Sequence, residues 1–192
     1  NTMLARLKGH EEAWKEAKRN DFYPDMEKAI GCPLSLFLRM VPYIYYGNAK
    51  NGCPVSYFKA GKFDSEGLLC MMRVADTARY FWHNYVYNFT DRIAQAQAKD
   101  PNFVRCEQIS VVDLEGLSSA TLNSEALDAI KIMSWVGFFF PETLHRTILL
   151  NAPSWFSMSW MIIRRFMDPR TARKIEIYSQ SSSGKERLVE LI

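Results

Sequence analysis

The sequence holds no uncharged apolar run long enough to cross a membrane as a helix. Its longest, Ile132 to Pro141 and Ala152 to Ile163, fall short of the roughly 18 residues that such a span needs. No secretory leader is visible either, and none is expected of a chain that opens Asn-Thr-Met-Leu-Ala-Arg and turns charged at once. Charge of one sign is scarce: 24 Lys and Arg face 21 Asp and Glu, for a net charge of +3, which excludes a polyelectrolyte tract for nucleic acid. Cysteine is sparse. Cys32, Cys53, Cys70 and Cys106 are widely spaced with no Cys-x-x-Cys, which suits reduced thiols in a cytosolic-type compartment better than a disulfide framework or zinc site. Of the three histidines, His10, His83 and His145, none stands at a catalytic or metal-ligating spacing from a Cys or Asp. Gly-x-Gly-x-x-Gly and Gly-x-Ser-x-Gly are absent, and Ser183-Gly184-Lys185 lacks the glycine a phosphate loop needs at position 179. The expectation is a protein with no catalytic site, no metal and no cofactor.

Apolar and aromatic material is plentiful. The 192 residues are 48% hydrophobic and 14% aromatic, with nine methionines, enough for one domain with a large core, plus at most a small appendage. Aromatic and methionine side chains also line adaptable apolar cavities. The absence of an initiator Met and the abrupt end at Leu191-Ile192 read as a fragment of a longer protein.

Periodicity divides the chain. Leu4 to Asn20 reads as a charged surface helix around Trp14. Asp21 to Tyr46, punctuated by Pro24, Gly31, Pro33 and Pro42, reads as irregular with a short helix at Ser35 to Met40. After a turn at Gly47 to Gly52, Pro54 to Phe58 is the first strand. Asp64 to Ala98 reads as the longest helical region, with Ser65 as N-cap. Val104 to Leu114 is a second strand, whose unbroken Ile109-Ser110-Val111-Val112 suits a sheet covered on both sides. Asn123 caps a helix running to Phe140. His145 to Asn151 and Lys174 to Tyr178 are further strands, and Lys185 to Ile192 a last helix. Strands alternating with helices predict an α/β fold: a mainly parallel sheet of about four to five strands flanked by helices, behind a helical N-terminal lead-in.

One helix stands apart. Ser154 to Met167 carries Trp155, Phe156, Trp160, Ile163, Phe166 and Met167, with small serines and Arg164/Arg165 as its polar content. A helix apolar on nearly every face is buried or faces lipid. Pro153 precedes it, Asp168-Pro169 stops it, and the basic Arg170-Thr171-Ala172-Arg173-Lys174 follows.

The region from about residue 50 onward resembles the CRAL-TRIO lipid-binding domain, the fold of phosphatidylinositol/phosphatidylcholine transfer proteins and of retinal and tocopherol carriers. The resemblance is carried, in order, by Gly52-x-Pro54-Val55, Val112-Asp113-Leu114-Glu115-Gly116, Phe140-Pro141-Glu142, Ile148-Leu149-Leu150-Asn151-Ala152-Pro153 and Asp168-Pro169-x-Thr171-x-x-Lys174-Ile175. It implies a lead-in over residues 1–46 and a lipid-binding domain over 47–192, truncated at its C-terminal end. It implies a phosphatidylinositol headgroup site at Glu142, Thr171 and Lys174, in which the ammonium pairs with phosphate, the hydroxyl donates to it and the carboxylate accepts from inositol hydroxyls. The apolar helix becomes a mobile gate over an acyl cavity, with Val112 on the cavity floor and Trp155, Phe156, Trp160, Ile163, Phe166 and Met167 on the gate. Arg164, Arg165, Arg170 and Arg173 become a basic collar facing anionic membrane headgroups.

The pattern departs from the family at a second headgroup site. Ser110 matches a family hydroxyl there, but its companion is Gln108, and Ser56 replaces a tyrosine after Pro-Val, leaving Tyr57 on the other face of a regular strand. Tyr45 or Tyr46 are the candidates to supply another contact. The expected activity is binding a phospholipid, best phosphatidylinositol, for transfer or presentation at membranes, by a cytoplasmic protein that associates with membranes peripherally, an organellar location being left open. Its partners are the phospholipid and the membrane surface, with other protein subunits or domains open. The rival readings are an adaptor or structural subunit of a larger assembly, and a carrier of another apolar molecule such as a retinoid or tocopherol.

Overall fold

A computed structural model describes residues 26–180 and 184–192, with the side chain of Asn88 left aside. The charged helix expected at Leu4 to Asn20 lies outside the described residues.

Five strands form one sheet in the order β1-β2-β3-β4-β5: β1 (Tyr43–Asn48), β2 (Pro54–Lys59), β3 (Gln108–Asp113), β4 (Leu144–Ala152) and β5 (Ile175–Ser179). β1 pairs antiparallel with β2, and β2 to β5 are parallel. The parallel order requires a crossover between each successive pair. The β2–β3 crossover holds α3 (Ser65–Leu69), α4 (Thr77–His83), a π-helical stretch (Asn84–Phe89) and α5 (Thr90–Lys99). The β3–β4 crossover holds α6 (Ser124–Gly137), and the β4–β5 crossover holds α7 (Phe156–Ile163) and α8 (Pro169–Ala172). Among the described residues, two short helices, α1 (Met26–Ile30) and α2 (Leu34–Met40), precede the sheet, and α9 (Gly184–Leu191) follows it.

Two expectations change here. Residues 21–46 are not irregular where described: they form α1, α2 and most of β1. Pro42 breaks the pattern just before a strand whose alternate residues Ile44 and Tyr46 face outward, so no buried apolar alternation marks it. Nor is Asp64 to Ala98 one helix. The cap is the Asp64 carboxylate, which accepts from Gly67 N–H at 2.8 Å. The chain leaves the helix after Leu69 and re-enters through a 3-10 turn at Val74–Asp76. The other cap is as expected: the Asn123 side chain accepts from Ala126 N–H at 2.9 Å and starts α6.

The two faces of the sheet have different tasks. Ile109, Val111 and Ile148 of the central strands pack with Val55 against Phe89, Ile93 and Ala96 on one side, where Leu188 and Leu191 of α9 also lie. That face is a closed core. The opposite face, bearing Phe58, Ser110, Val112, Thr147, Leu149 and Ile175, is roofed by α4, α6 and α7 without being filled by them.

Asp113, at the C-terminal end of β3, ties three strands together. Its carboxylate accepts from Tyr57 Oη at 2.8 Å, Asn151 Nδ2 at 2.8 Å and Glu115 N–H at 3.0 Å. Asn151 adopts φ 56°, a left-handed conformation that asparagine tolerates better than most residues. Burial alone would raise the Asp113 pKa, but the hydrogen bonds from Asn151, Glu115 and Tyr57 outweigh it and hold the carboxyl below its ordinary value. A depressed folded-state pKa gives stability that is present above the unfolded carboxylate value, near 4, and lost as pH falls through the folded one. Asp113→Asn is therefore expected to lower stability at pH 7 by about 2 kcal/mol, the scale of hydrogen bonds to a charged group. In chemical denaturation the gap between the two proteins should close as pH falls below the ordinary carboxylate range. A gap independent of pH would show that the charge is not what matters.

Candidate functional site

Between the sheet and its helical roof lies a cavity of about 450 Å³, inside the size range of small-molecule sites. Its wall is built by repeat spacing. On α6, Ala126, Ala129, Ile130, Met133, Ser134 and Gly137 face inward, a single stripe at helical period. On α7 and the residues after it, Phe156, Trp160, Ile163 and Met167 do the same. Along β3, Gln108, Ser110 and Val112 line it at the strand period of two. Most of the lining is apolar.

Glu142, Thr171 and Lys174 are brought together in this wall. They come from three places: the turn between α6 and β4, the helix α8, and the residue before β5. Lys174 Nζ lies 3.0 Å from Glu142 Oε2 and donates to Leu144 O at 2.6 Å. A second carboxylate, Glu107 Oε1, stands 3.9 Å away. Glu142 is held at φ 57°, a conformation that costs a residue with a β-carbon about 1 kcal/mol or more. Asp168 starts α8 by accepting from Arg170 N–H at 2.8 Å, and Thr171 of that helix lines the cavity. The helix closed by this turn ends at Gly137, so Glu142 stands beyond it in the following turn.

The remaining predicted residues divide. Val112, Phe156, Trp160, Ile163 and Met167 line the cavity; Trp155 and Phe166 do not. Trp155 packs edge-on to Phe156, and the Phe166 ring carries Lys131 Nζ at 5.1 Å from its centroid. The apolar helix is shorter than expected, α7 giving way to a 3-10 turn at Arg164–Phe166. It is also two-sided: Phe156 and Ile163 are buried, while Met158, Met161 and Ile162 are exposed. Arg164, Arg165 and Arg173 are exposed. Arg170 lines the rim of the cavity and pairs with Asp168 at 3.5 Å, so it does not belong to a purely outward collar.

Ser110 lines the cavity, but Tyr45 and Tyr46 do not. Tyr46 is 70% exposed. Tyr45 donates to Gln108 Oε1 at 3.2 Å and has the Arg92 guanidinium over its ring. Burial first, and then its tyrosine neighbours, push its pKa far above the ordinary value. The tyrosine that reaches the cavity from β1 is Tyr43. Tyr57 lies on the opposite face, bound to Asp113, as a regular β2 requires.

Sequence reasoning missed other polar members of the wall. Thr77, Asn84 and Thr147 are each under 10% exposed and line the cavity, as does Gln108, which the sequence places only as the companion of Ser110. Thr77, Tyr80, Phe81, Asn84 and Tyr85 form one inward stripe, and burial pushes the Tyr85 phenol up to about 12, so it stays a neutral hydrogen-bonding group. That 3-4 spacing was the available signal, obscured by the break between α3 and α4. Ser134 Oγ, also in the wall, is buried without a hydrogen-bond partner.

A family model for the CRAL/TRIO domain matches residues 38–191. Among curated proteins, the chain is 28% identical over 177 residues to the phosphatidylinositol/phosphatidylcholine transfer protein SFH4 of Arabidopsis thaliana, covering 91% of this chain and 29% of that protein. It is 26% identical over 191 residues to SFH12, a protein of the same description and organism, covering 97% of this chain and 35% of that protein. It is 27% identical over 155 residues to the SEC14 cytosolic factor of Yarrowia lipolytica, covering 79% and 30%. The chain thus spans about a third of the length of these relatives. Among solved structures, the crystal structure of Sfh5 superposes with a TM-score of 0.62 at 18% identity, covering 86% of this chain and 56% of that one. At that identity the likeness speaks for the fold alone. With the family model matching most of the chain, the protein belongs to the CRAL/TRIO domain family.

Proposed function

We propose that this chain is a non-catalytic lipid-binding domain that takes a phospholipid, phosphatidylinositol best, into the cavity for transfer or presentation at a membrane surface. The carrying observation is that Glu142, Thr171 and Lys174 all line one cavity whose wall is mostly apolar, with Lys174 Nζ 3.0 Å from Glu142 Oε2. A phosphate at Lys174 meets an ammonium already oriented by Leu144 O and Glu142. Inositol hydroxyls meet the Glu142 carboxylate and the Thr171 hydroxyl. The acyl chains run along the stripes of α6 and α7, where each CH₂ withdrawn from water contributes about 0.8 kcal/mol. The relatives' description as phosphatidylinositol/phosphatidylcholine transfer proteins supports the same ligand class.

In this reading α7 is the gate, with Pro153 and Pro169 at its hinges. Its exposed Met158, Met161 and Ile162, flanked by Arg164, Arg165 and Arg173, form the face that meets lipid. Basic residues near an anionic leaflet contribute about 1 kcal/mol each. Among the described residues no helix is long and apolar enough to cross a membrane. The lead-in assigned to residues 1–46 gives up β1 to the lipid-binding unit, because β1 pairs with β2.

Native mass spectrometry of the protein purified from a eukaryotic host tests the proposal. A co-purifying phospholipid, enriched in phosphatidylinositol over its abundance in the host, is the expected result. An isoprenoid would transfer the cavity to the carrier reading. A ligand-free protein that also takes nothing from phosphatidylinositol vesicles would overturn lipid binding and favour the adaptor reading.

A further inference from the structure

Beside the lysine end of the cavity but outside its lining, three side chains of metal-ligating type meet at the N-terminal rim of the parallel sheet. Cys53 immediately precedes β2, Glu107 immediately precedes β3, and His145 is the second residue of β4. Because these strands are neighbours, register brings together residues that sequence spacing keeps far apart. One potential ligand atom from each, the thiol sulfur, a carboxylate oxygen and an imidazole nitrogen, lies within 4.8 Å of the others. None of the three lines the cavity.

The backbone is adapted to this meeting. Gln108 pairs with Leu144 and Ile109 with Arg146, so β4 has one residue more than β3 at this point and His145 is the residue left over. Such a bulge re-aims a side chain out of the regular alternation. Here it sets His145 Nδ1 at 3.1 Å from Glu107 Oε2. Cys53 is fully buried, held by the core beneath, while the His145 and Glu107 side chains are 25% and 21% exposed. The site therefore has a rigid floor and an open side.

We propose that Cys53, Glu107 and His145 form a divalent metal site of zinc type, its fourth position left to water. One thiolate, one neutral imidazole and one carboxylate balance a dication. A thiolate and an imidazole favour zinc over calcium or magnesium, which take oxygen ligands. Zinc bonds of about 2.0–2.3 Å set tetrahedral ligand atoms about 3.3–3.8 Å apart, so small side-chain rotations close the present spacing. Without an ion, burial pushes the Cys53 thiol up to about 11, and a coordinated cation holds it as thiolate. The groups around the carboxylate are Arg105, whose Nη1 lies 3.0 Å from Glu107 Oε2, and Lys174, at 3.9 Å from Oε1. The Arg105 side chain is 49% exposed, and its pair is one that water replaces at small cost.

The test uses the full, tag-free chain, stripped of metal and titrated with Co²⁺ alone. A thiolate-to-cobalt charge-transfer band saturating at one equivalent, and bleached by Zn²⁺, is expected. Cys53→Ser should lose that band. His145→Gln, at the partly exposed rim, should weaken binding by more than about tenfold, the loss that even an outer-shell partner's removal can cause. Should Cys53→Ser misfold by near-ultraviolet circular dichroism, His145→Gln and Glu107→Gln decide the matter. No band at excess Co²⁺, a band that survives in folded Cys53→Ser, or unchanged affinity in His145→Gln would each overturn the proposal.

Discussion

Lys174→Ala is expected to weaken phosphatidylinositol binding by about 10- to 100-fold while the protein stays folded. The size follows from what the ammonium does in the proposed site: a charge-assisted hydrogen bond to phosphate contributes about 1.5–3 kcal/mol. The fold should survive because the pair that is lost is modest. Glu142 is 64% exposed, and an ion pair so open to solvent contributes at most about 1 kcal/mol. The charge-assisted hydrogen bond from the ammonium to Leu144 O adds about 1.5–3 kcal/mol. For a chain of this size that amounts to a fall in Tm of about 3–16 °C. Lys174→Met, which keeps the apolar stem, separates the charge from the packing. Glu142→Gln separates a binding role from simple pairing with Lys174. If Glu142 accepts from the headgroup, this change lowers affinity for phosphatidylinositol more than for a phospholipid without inositol hydroxyls. If Glu142 only neutralises the lysine, both affinities hold or rise. Vesicle-binding titrations with the two lipids, run beside thermal melts, measure all of it. Full-strength phosphatidylinositol binding by folded Lys174→Ala would remove the headgroup assignment.

The legible parts of the fold were those in which one residue pattern had one structural solution. The β3 run from Ile109 to Val112 had to be a strand covered on both sides, and it is the middle strand of the sheet. Asn123 could only cap, and it does. The motifs behind the family resemblance prove to have structural work as well: Asp113 and Asn151 belong to one hydrogen-bonded knot at the C-terminal ends of β3 and β4. β1 was hidden because an edge strand with Ile44 and Tyr46 turned outward carries no buried alternation. The break after Leu69 was hidden because neither proline nor a charge cluster marks it.

Motif alone singled out Glu142, Thr171 and Lys174, and these three line one cavity. The site was not legible where identity was carried by register. Thr147 becomes a cavity residue only once β3 and β4 are side by side. The meeting of Cys53, Glu107 and His145 depends further on a bulge, which no spacing rule on a single strand reveals. No histidine stands at a metal-ligating spacing from a cysteine in the sequence, yet His145 meets Cys53 in space. Separation in sequence says nothing about distance across parallel strands.

The largest loss of stability among single-methyl changes is expected at Gly61→Ala. A β-carbon there would lie 1.8 Å from the backbone oxygen of Glu115, 2.6 Å from its carbonyl carbon and 2.9 Å from Leu117 N. All three obstacles are main chain, so no side-chain rotation relieves the contact. The segments that must part are the 3-10 turn after β2 and the loop after β3. They stand beside the Asp113 knot and carry Ala60, Leu114 and Leu117 into the apolar cluster that also holds Phe156 and Ile163 of α7. Separating them strains the end of the sheet from which the proposed gate departs. Overpacking a tight site costs about 3 kcal/mol or more when the neighbours cannot yield, a fall in Tm of about 6–12 °C. Gly47→Ala is the control, since nothing lies within 4 Å of its added carbon and its φ of 63° is the sole penalty, about 1–2 kcal/mol. Thermal unfolding followed by far-ultraviolet circular dichroism should rank wild type above Gly47→Ala and Gly47→Ala well above Gly61→Ala. A Gly61→Ala protein melting within about 2 °C of wild type would mean that the two loops separate freely, and that the end of the sheet beneath α7 is not the rigid anchor a hinged gate requires.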